Sequence, residues 1–400
     1  MTAVVSRTFW ERLLFLVLVL EVVALWLRWR PGAMPSEAAL LADLPSCAAY
    51  TSNVAEGLIP TPVAGEGQLP RLEERPTARH TPAPMSMPRA YTLRWRVGVS
   101  IPLGDPLLFQ WPQERPGWYL NWTPEPGTAW KTLEQELGMA FTPMVRLTDQ
   151  GLQPDERTLM ELARSHPGRV WLIGNEPDVR WQDDATPEEY ACYYYRAYQA
   201  IKAGDSTAQV AIGGLSQITP LRLRYLDRVW AFYRQEYGRE MPVDVWNMHA
   251  FVLPERADGW GVGVPPGFEG QVQQGVRWGA EDHDSLTLVE NQVRLMRQWM
   301  ARHGQRDKPL YITEYGILLP PEYGFDTYRV AQFLVGSFDL FQRLQDDSLG
   351  YPPDQNRLVQ RWNWFSTFDT LYPNGNLFDA QGAPTPLMRA LAGYLRAHPE

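Results

Sequence analysis

The stretch Arg169–Asp178, RVWLIGNEPD, passes from an apolar run to Asn-Glu-Pro-Asp across a single glycine. An apolar run bounded by turn residues reads as a buried strand. Pro177 lacks a backbone donor and disfavours helix at Glu176, so the strand ends there. Glu176 then stands at the carboxyl end of a buried strand with Asn175 beside it. In parallel α/β barrels that end carries the chemistry; the plain alternative is a turn with a solvated acid.

Seven further runs share this texture. RVGVSI (96–101), GWYLNW (117–122) and AFTPMVRL (140–147) precede it; AQVAIGGLS (208–216), VDVWNMHAF (243–251), PLYITEYG (309–316) and RWNWFSTF (361–368) follow. Helical patterns lie between them. Thr186-Pro187-Glu188-Glu189 combines an N-cap, a first-turn proline and a capping-box glutamate. Thr219-Pro220 opens a second helix, Val289 to Met300 marks a third, and Asp326 caps a fourth. Strands alternating with helices imply parallel pairing through right-handed crossovers. Eight strands over residues 91–400 predict one (β/α)8 TIM barrel, an α/β fold. The alternative, a doubly wound sheet, would carry Gly-x-Gly-x-x-Gly after its first strand, and none follows.

Composition narrows the function. The chain has 400 residues, is 44% hydrophobic and carries 17 Trp, enough for a large core. A net charge of −9 excludes the basic face that nucleic acid requires. Six scattered histidines, with no paired motif, predict no metal and no cofactor. Cys47 and Cys192 are too few for a disulfide framework. Residues 1–30 hold an apolar segment, Leu13 to Leu27, flanked by arginines; it reads as a membrane anchor or a signal segment. Residues 31–90 are proline-rich and read as a disordered linker. The catalytic unit is expected at 91–400, as a monomer, anchored outside the cell membrane or secreted.

The seventh run ends Thr313-Glu314-Tyr315-Gly316. A barrel would bring Glu314 and Glu176 to one mouth. Two facing carboxylates suffice to break a glycosidic bond: one protonates the leaving oxygen, the other attacks the anomeric carbon or activates water. Each needs its own pKa, set by its surroundings.

Asn175-Glu176-Pro177 and Thr313 to Gly316 resemble the fourth- and seventh-strand motifs of clan A glycoside hydrolases. The closer resemblance is to the glycosyl hydrolase catalytic core group, glycoside hydrolase family 128 and relatives. It also rests on Trp118 to Trp122 and on Phe141 to Met144. It implies a retaining glycosidase acting on a β-glucan or related polysaccharide, with Glu176 as acid/base and Glu314 as nucleophile. Two rivals remain: a non-catalytic carbohydrate-binding barrel, and a transglycosylase remodelling surface glycan. The sixth strand departs from the group's His-Trp-Tyr as His249-Ala250-Phe251, and the eighth from Ala-Trp-Phe as Asn363-Trp364-Phe365.

Other residues have expected roles beside the carboxylates. Asn175 is placed on a sugar 2-hydroxyl, or in an Asx turn ending the strand. His249 would hold the nucleophile or a hydroxyl, or be a core histidine. Trp364 would floor the cleft. Arg146 would orient Glu314 or lower its pKa, or form a structural ion pair. Asn121, Trp122 and Tyr315, from the strand-end motifs, are placed among the substrate contacts. Asn121-Trp122-Thr123 also matches a glycosylation acceptor, at a position ill suited to a glycan. Residues 252–285 form a long Gly- and aromatic-rich stretch; Trp260, Phe268 and Trp278 would wall sugar subsites or pack on the barrel.

Overall fold

Among the described residues ten strands form, nine of them at the apolar runs. The computed structural model describes Leu44, Ser46, Cys47 and residues 91–399. The segment read as an anchor, and the rest of the proline-rich stretch, lie outside the described residues. The strands are β1 (Val97–Ser100), β2 (Trp118–Leu120), β3 (Ala140–Phe141), β4 (Met144–Thr148), β5 (Gly151–Gln153), β6 (Val170–Asn175), β7 (Gln209–Gly214), β8 (Trp246–His249), β9 (Leu310–Tyr315) and β10 (Arg361–Trp364). Between and after them run α1 (Gly127–Glu136), α2 (Glu156–Ser165), α3 (Pro187–Gly204), α4 (Pro220–Tyr237), α5 (Leu286–Arg302), α6 (Thr327–Arg343) and α7 (Pro386–Ala397).

The order in one sheet is β3-β2-β1-β10-β9-β8, and in the other β5-β4-β6-β7. Only β5 runs antiparallel to its neighbour, β4. β3 and β4 are the two halves of the predicted third strand. Pro143 has no N–H to give the ladder, so the strand breaks at Thr142-Pro143. Both halves still reach β2 and the residues after it: Thr142 N donates to Tyr119 O and Met144 N to Thr123 O. β4 then pairs with β6. Parallel bridges at Ala211–Val245 and Leu215–Met248 link β7 to β8. Parallel strands in this order, with helices in the crossovers, fit a (β/α)8 barrel.

The predicted caps form at Thr186, Thr219 and Asp326, and Ser285 adds one that was not read. Thr186 and Glu189 make a reciprocal capping box on α3, Thr219 caps α4, Ser285 caps α5 and Asp326 caps α6. Inside the strands, Trp118, Leu120, Met144, Leu172, Ala211, Val245 and Tyr311 form one buried apolar cluster. These residues mark the inward parity of their strands, because side chains alternate faces with period two. That parity decides which later residues reach the rim.

The two cysteines, too few for a framework, gave no sign of a pairing in the sequence. Cys47 and Cys192 are joined in a disulfide. Cys192 lies on the buried side of α3, and Cys47 is itself buried. Two cysteines make no framework, but they staple residue 47 of the proline-rich stretch to the catalytic unit.

Candidate active site

Inward parity carries β6 from Leu172 through Gly174 to Glu176. Gly174 takes φ +88°, and a side chain there would crowd Leu147, Asp183 and Tyr190. Glu176 itself takes φ 43°, a conformation a non-glycine residue holds at a cost of roughly 1–3 kcal/mol. The surrounding bonds fix it: Glu176 N donates to Gly214 O, and Val179 N donates to Glu176 O. On β8 the inward residues are Val245, Asn247 and His249. Gly214 on β7 leaves room for the imidazole; a Cβ there would lie 2.3 Å from His249 Cδ2.

Glu314 reaches the interior by a different device. Met248 pairs with Ile312, but the next residue, His249, pairs with Glu314. On the other side Trp362 pairs with Ile312, and Trp364 with Tyr315. Both neighbours therefore register one extra residue in β9, a bulge. Thr313 faces inward, where its hydroxyl donates to Asn247 Oδ1. The bulge turns Glu314 inward as well and sends Tyr315 outward.

His249 stands between the two carboxylates. Its Nδ1 is hydrogen-bonded to Glu176 Oε1 at 2.8 Å, and its Nε2 lies 3.5 Å from Glu314 Oε1. One oxygen of each glutamate and a ring nitrogen all lie within 4.8 Å of one another. Trp122 Nε1 donates to Glu314 Oε1 at 2.7 Å. Burial pushes the Glu314 carboxyl up to about 7; His249 opposes the rise, the Glu176 charge adds to it, and the Trp122 bond opposes it. Burial acts to lower the His249 pKa, but the Glu314 charge and the Glu176 hydrogen bond outweigh it and the value is raised. The imidazole thus bridges the two buried carboxylates. Among the described residues these three side chains are also the one cluster of acids and histidine able to surround a metal ion. Sequence reading placed the same three residues at one mouth, with no metal expected there.

The other expected residues divide. Asn175 Nδ2 donates to Gln182, while its buried Oδ1 has no partner among the described residues. Arg146 forms an ion pair with Asp183, Nη2 to Oδ1 at 2.6 Å, and still lowers the Glu314 pKa by its charge. Asn121 Oδ1 accepts from Thr123 Oγ1 and N; it shapes the turn that presents Trp122, itself at φ 58°.

Trp364 does not floor a cleft. It is 0% exposed, donates its indole N–H to Gly375 O, and packs edge-on against Tyr315. Its parity is outward; the inward residues of that strand are Asn363 and Phe365. Tyr315 is likewise no substrate contact: its hydroxyl shares a hydrogen bond with Ser337 of α6, and its ring meets Phe341. Phe268 is buried beneath Arg224 and Arg228, so it packs the loop instead of walling the mouth.

Several residues that matter here gave no signal in the sequence. Asp183 accepts from the backbone N–H of Asn175 and Leu147 as well as from Arg146. Asp178, just after Pro177, accepts from Ser216 and from Arg222 Nε. Arg222 also binds Glu255, and all three charged side chains are fully buried. Phe365 packs edge-on against Trp122 and takes the inner place expected of Trp364.

The chain matches no protein-family model and no curated protein sequence. Solved structures do match. A GH128 (subgroup II) endo-β-1,3-glucanase from Pseudomonas viridiflava aligns at 19% identity and TM-score 0.52, over 74% of this chain and 96% of that one. A GH128 (subgroup II) endo-β-1,3-glucanase from Sorangium cellulosum aligns at 18% identity and TM-score 0.49, over 76% and 99%. At such identities the likeness is one of fold: the chain has a fold like that of glycoside hydrolase family 128.

Proposed function

We propose that the chain is a retaining glycoside hydrolase on a closed (β/α)8 barrel, acting on a β-glucan. The observation that carries this reading is the buried pair Glu176 and Glu314, with oxygens within 4.8 Å. That spacing supports the retaining geometry, whose carboxyls stand about 5–5.5 Å apart; an inverting pair leaves room for a water at about 6.5–9.5 Å. Glu314 attacks the anomeric carbon while Glu176 protonates the departing oxygen, so the glycosidic bond breaks as a glycosyl ester forms. Glu176 then takes a proton from water, water attacks the anomeric carbon, and the ester returns Glu314 as carboxylate. Trp122 stabilises that carboxylate by its hydrogen bond. Asn175 Oδ1 is placed to accept from a sugar hydroxyl. The fold shared with an endo-β-1,3-glucanase supports β-1,3-glucan as substrate.

The Cys47–Cys192 disulfide supports an oxidising compartment, and with it export of the catalytic unit. Among the described residues no helix is long and apolar enough to cross a membrane; the anchor proposed at 1–30 lies outside them.

The roles separate by leaving group. Glu176→Ala should keep most of its glycosylation rate on dinitrophenyl glucosides, and azide should trap its product with retained configuration. Glu314→Ala should lose several orders of magnitude on both substrate types, more than about 4 kcal/mol of transition-state stabilisation. Azide rescue of Glu314→Ala should give the inverted product. Inverted azide from Glu176→Ala and retained azide from Glu314→Ala would reverse the assignment, and full activity in both would end the reading.

A further inference from the structure

Residues between β8 and α5 wall a cavity of about 1220 Å³. Trp260 and Trp278 come from that stretch, Tyr323 from the loop after β9, and Tyr372 from the loop after β10. Trp260 is 48% exposed and Tyr323 61%, so broad aromatic faces stand open to solvent. Gln274 and Arg277 add hydrogen-bond donors to the same wall. Aromatic faces beside a few polar groups suit a ligand with one apolar and one hydroxyl-rich aspect, such as a pyranose. The volume exceeds the roughly 300–1,000 Å³ that houses a drug-sized ligand, which favours a chain of sugars over a single one.

The cavity lies among the loops that follow β8, β9 and β10, strands whose ends carry His249 and Glu314. Tyr372 packs against Phe365 at 6.2 Å, Phe365 against Trp122 at 6.0 Å, and Trp122 holds Glu314. Its wall is also fixed in place. Glu255 N donates to Val276 O, Val276 N donates to Glu255 Oε2, and Arg222 anchors Glu255 from α4. A wall held before ligand arrives loses little entropy on binding.

We propose that this cavity is a subsite that holds several successive units of a β-linked glucan beside the carboxylate pair, with Trp260 and Trp278 as its stacking surfaces. The ligand class rests on the hydrolase reading above; the site rests on the cavity and its aromatics.

The test titrates laminarihexaose calorimetrically into the full chain carrying Glu176→Gln, so that the sugar survives. Adding Trp260→Ala with Trp278→Ala should weaken binding at least tenfold, about 1.4 kcal/mol. Trp260→Phe with Trp278→Phe should lose less, and this milder pair carries the comparison if the alanine pair fails to fold. Equal affinity with and without the tryptophans would overturn the subsite. In parallel, the unsubstituted chain is assayed for laminarihexaose cleavage. Tryptophan-dependent binding without any cleavage would sink the hydrolase reading and leave the subsite standing.

Discussion

Glu314 owes its place to one extra residue in β9. Without the bulge it would share the outward face of Ile312, and Glu176 would stand without a partner. Its raised pKa has a kinetic consequence. A nucleophile must be ionised, so kcat/KM should climb with pH through about 7, where the Glu314 carboxyl loses its proton. The Trp122 hydrogen bond favours the ionised form. Trp122→Phe should therefore move that acid limb to higher pH and cost several-fold more activity at pH 6 than at pH 8. A pH–rate profile checks this; an unmoved limb would show that Trp122 does not act on the Glu314 carboxyl. At this scale the two carboxylates were legible, because an acid after an apolar run and before proline or glycine marks a strand end. The parity of their neighbours was not. Trp364 was placed in the cleft for its aromatic face, yet the pleat turns Phe365 inward and Trp364 towards α6. Tyr315 was misplaced for the same reason, since a bulge cannot be read from residue order alone.

Between elements, Arg222 ties two functional segments together. It holds Asp178, two residues after Glu176, and Glu255, at the root of the loop that walls the cavity. Burial pushes the Asp178 carboxyl up while Arg222 opposes, so the pair survives as ions only while both partners are present. Arg222→Leu leaves two buried carboxylates without their cation and should cost about 3–5 kcal/mol of stability, read by chemical denaturation. Arg222→Lys should recover part of it. A loss under about 1 kcal/mol would mean that the network carries little strain-free ion pairing. The helices on either side of this network were legible from their caps, which are local signals within three or four residues. The network was not, because its members lie on three successive strand-to-helix segments and share no spacing rule. β5 escaped notice as well, being three residues paired back on β4.

For the whole molecule, the disulfide ties Cys47 to the unit read as beginning at residue 91. A chain beginning there would leave Cys192 without Cys47. Such a chain should be less stable than one beginning at residue 45 by roughly 2–5 kcal/mol, the usual cost of losing a native disulfide. Reductant should lower the melting temperature of the longer chain towards that of the shorter. Equal melting temperatures with and without reductant would show that the staple adds nothing. The eight-strand plan was legible because alternating apolar runs and capped helices recur across the whole unit. The staple was not, because pairing cysteines so far apart is a property of the folded state.

If Glu176 and Glu314 act as one retaining pair, proton NMR of the first product released from laminarihexaose, read before mutarotation blurs it, will show it. Two successive inversions at one anomeric carbon predict the β-anomer first. Initial release of the α-anomer would contradict the covalent route through Glu314.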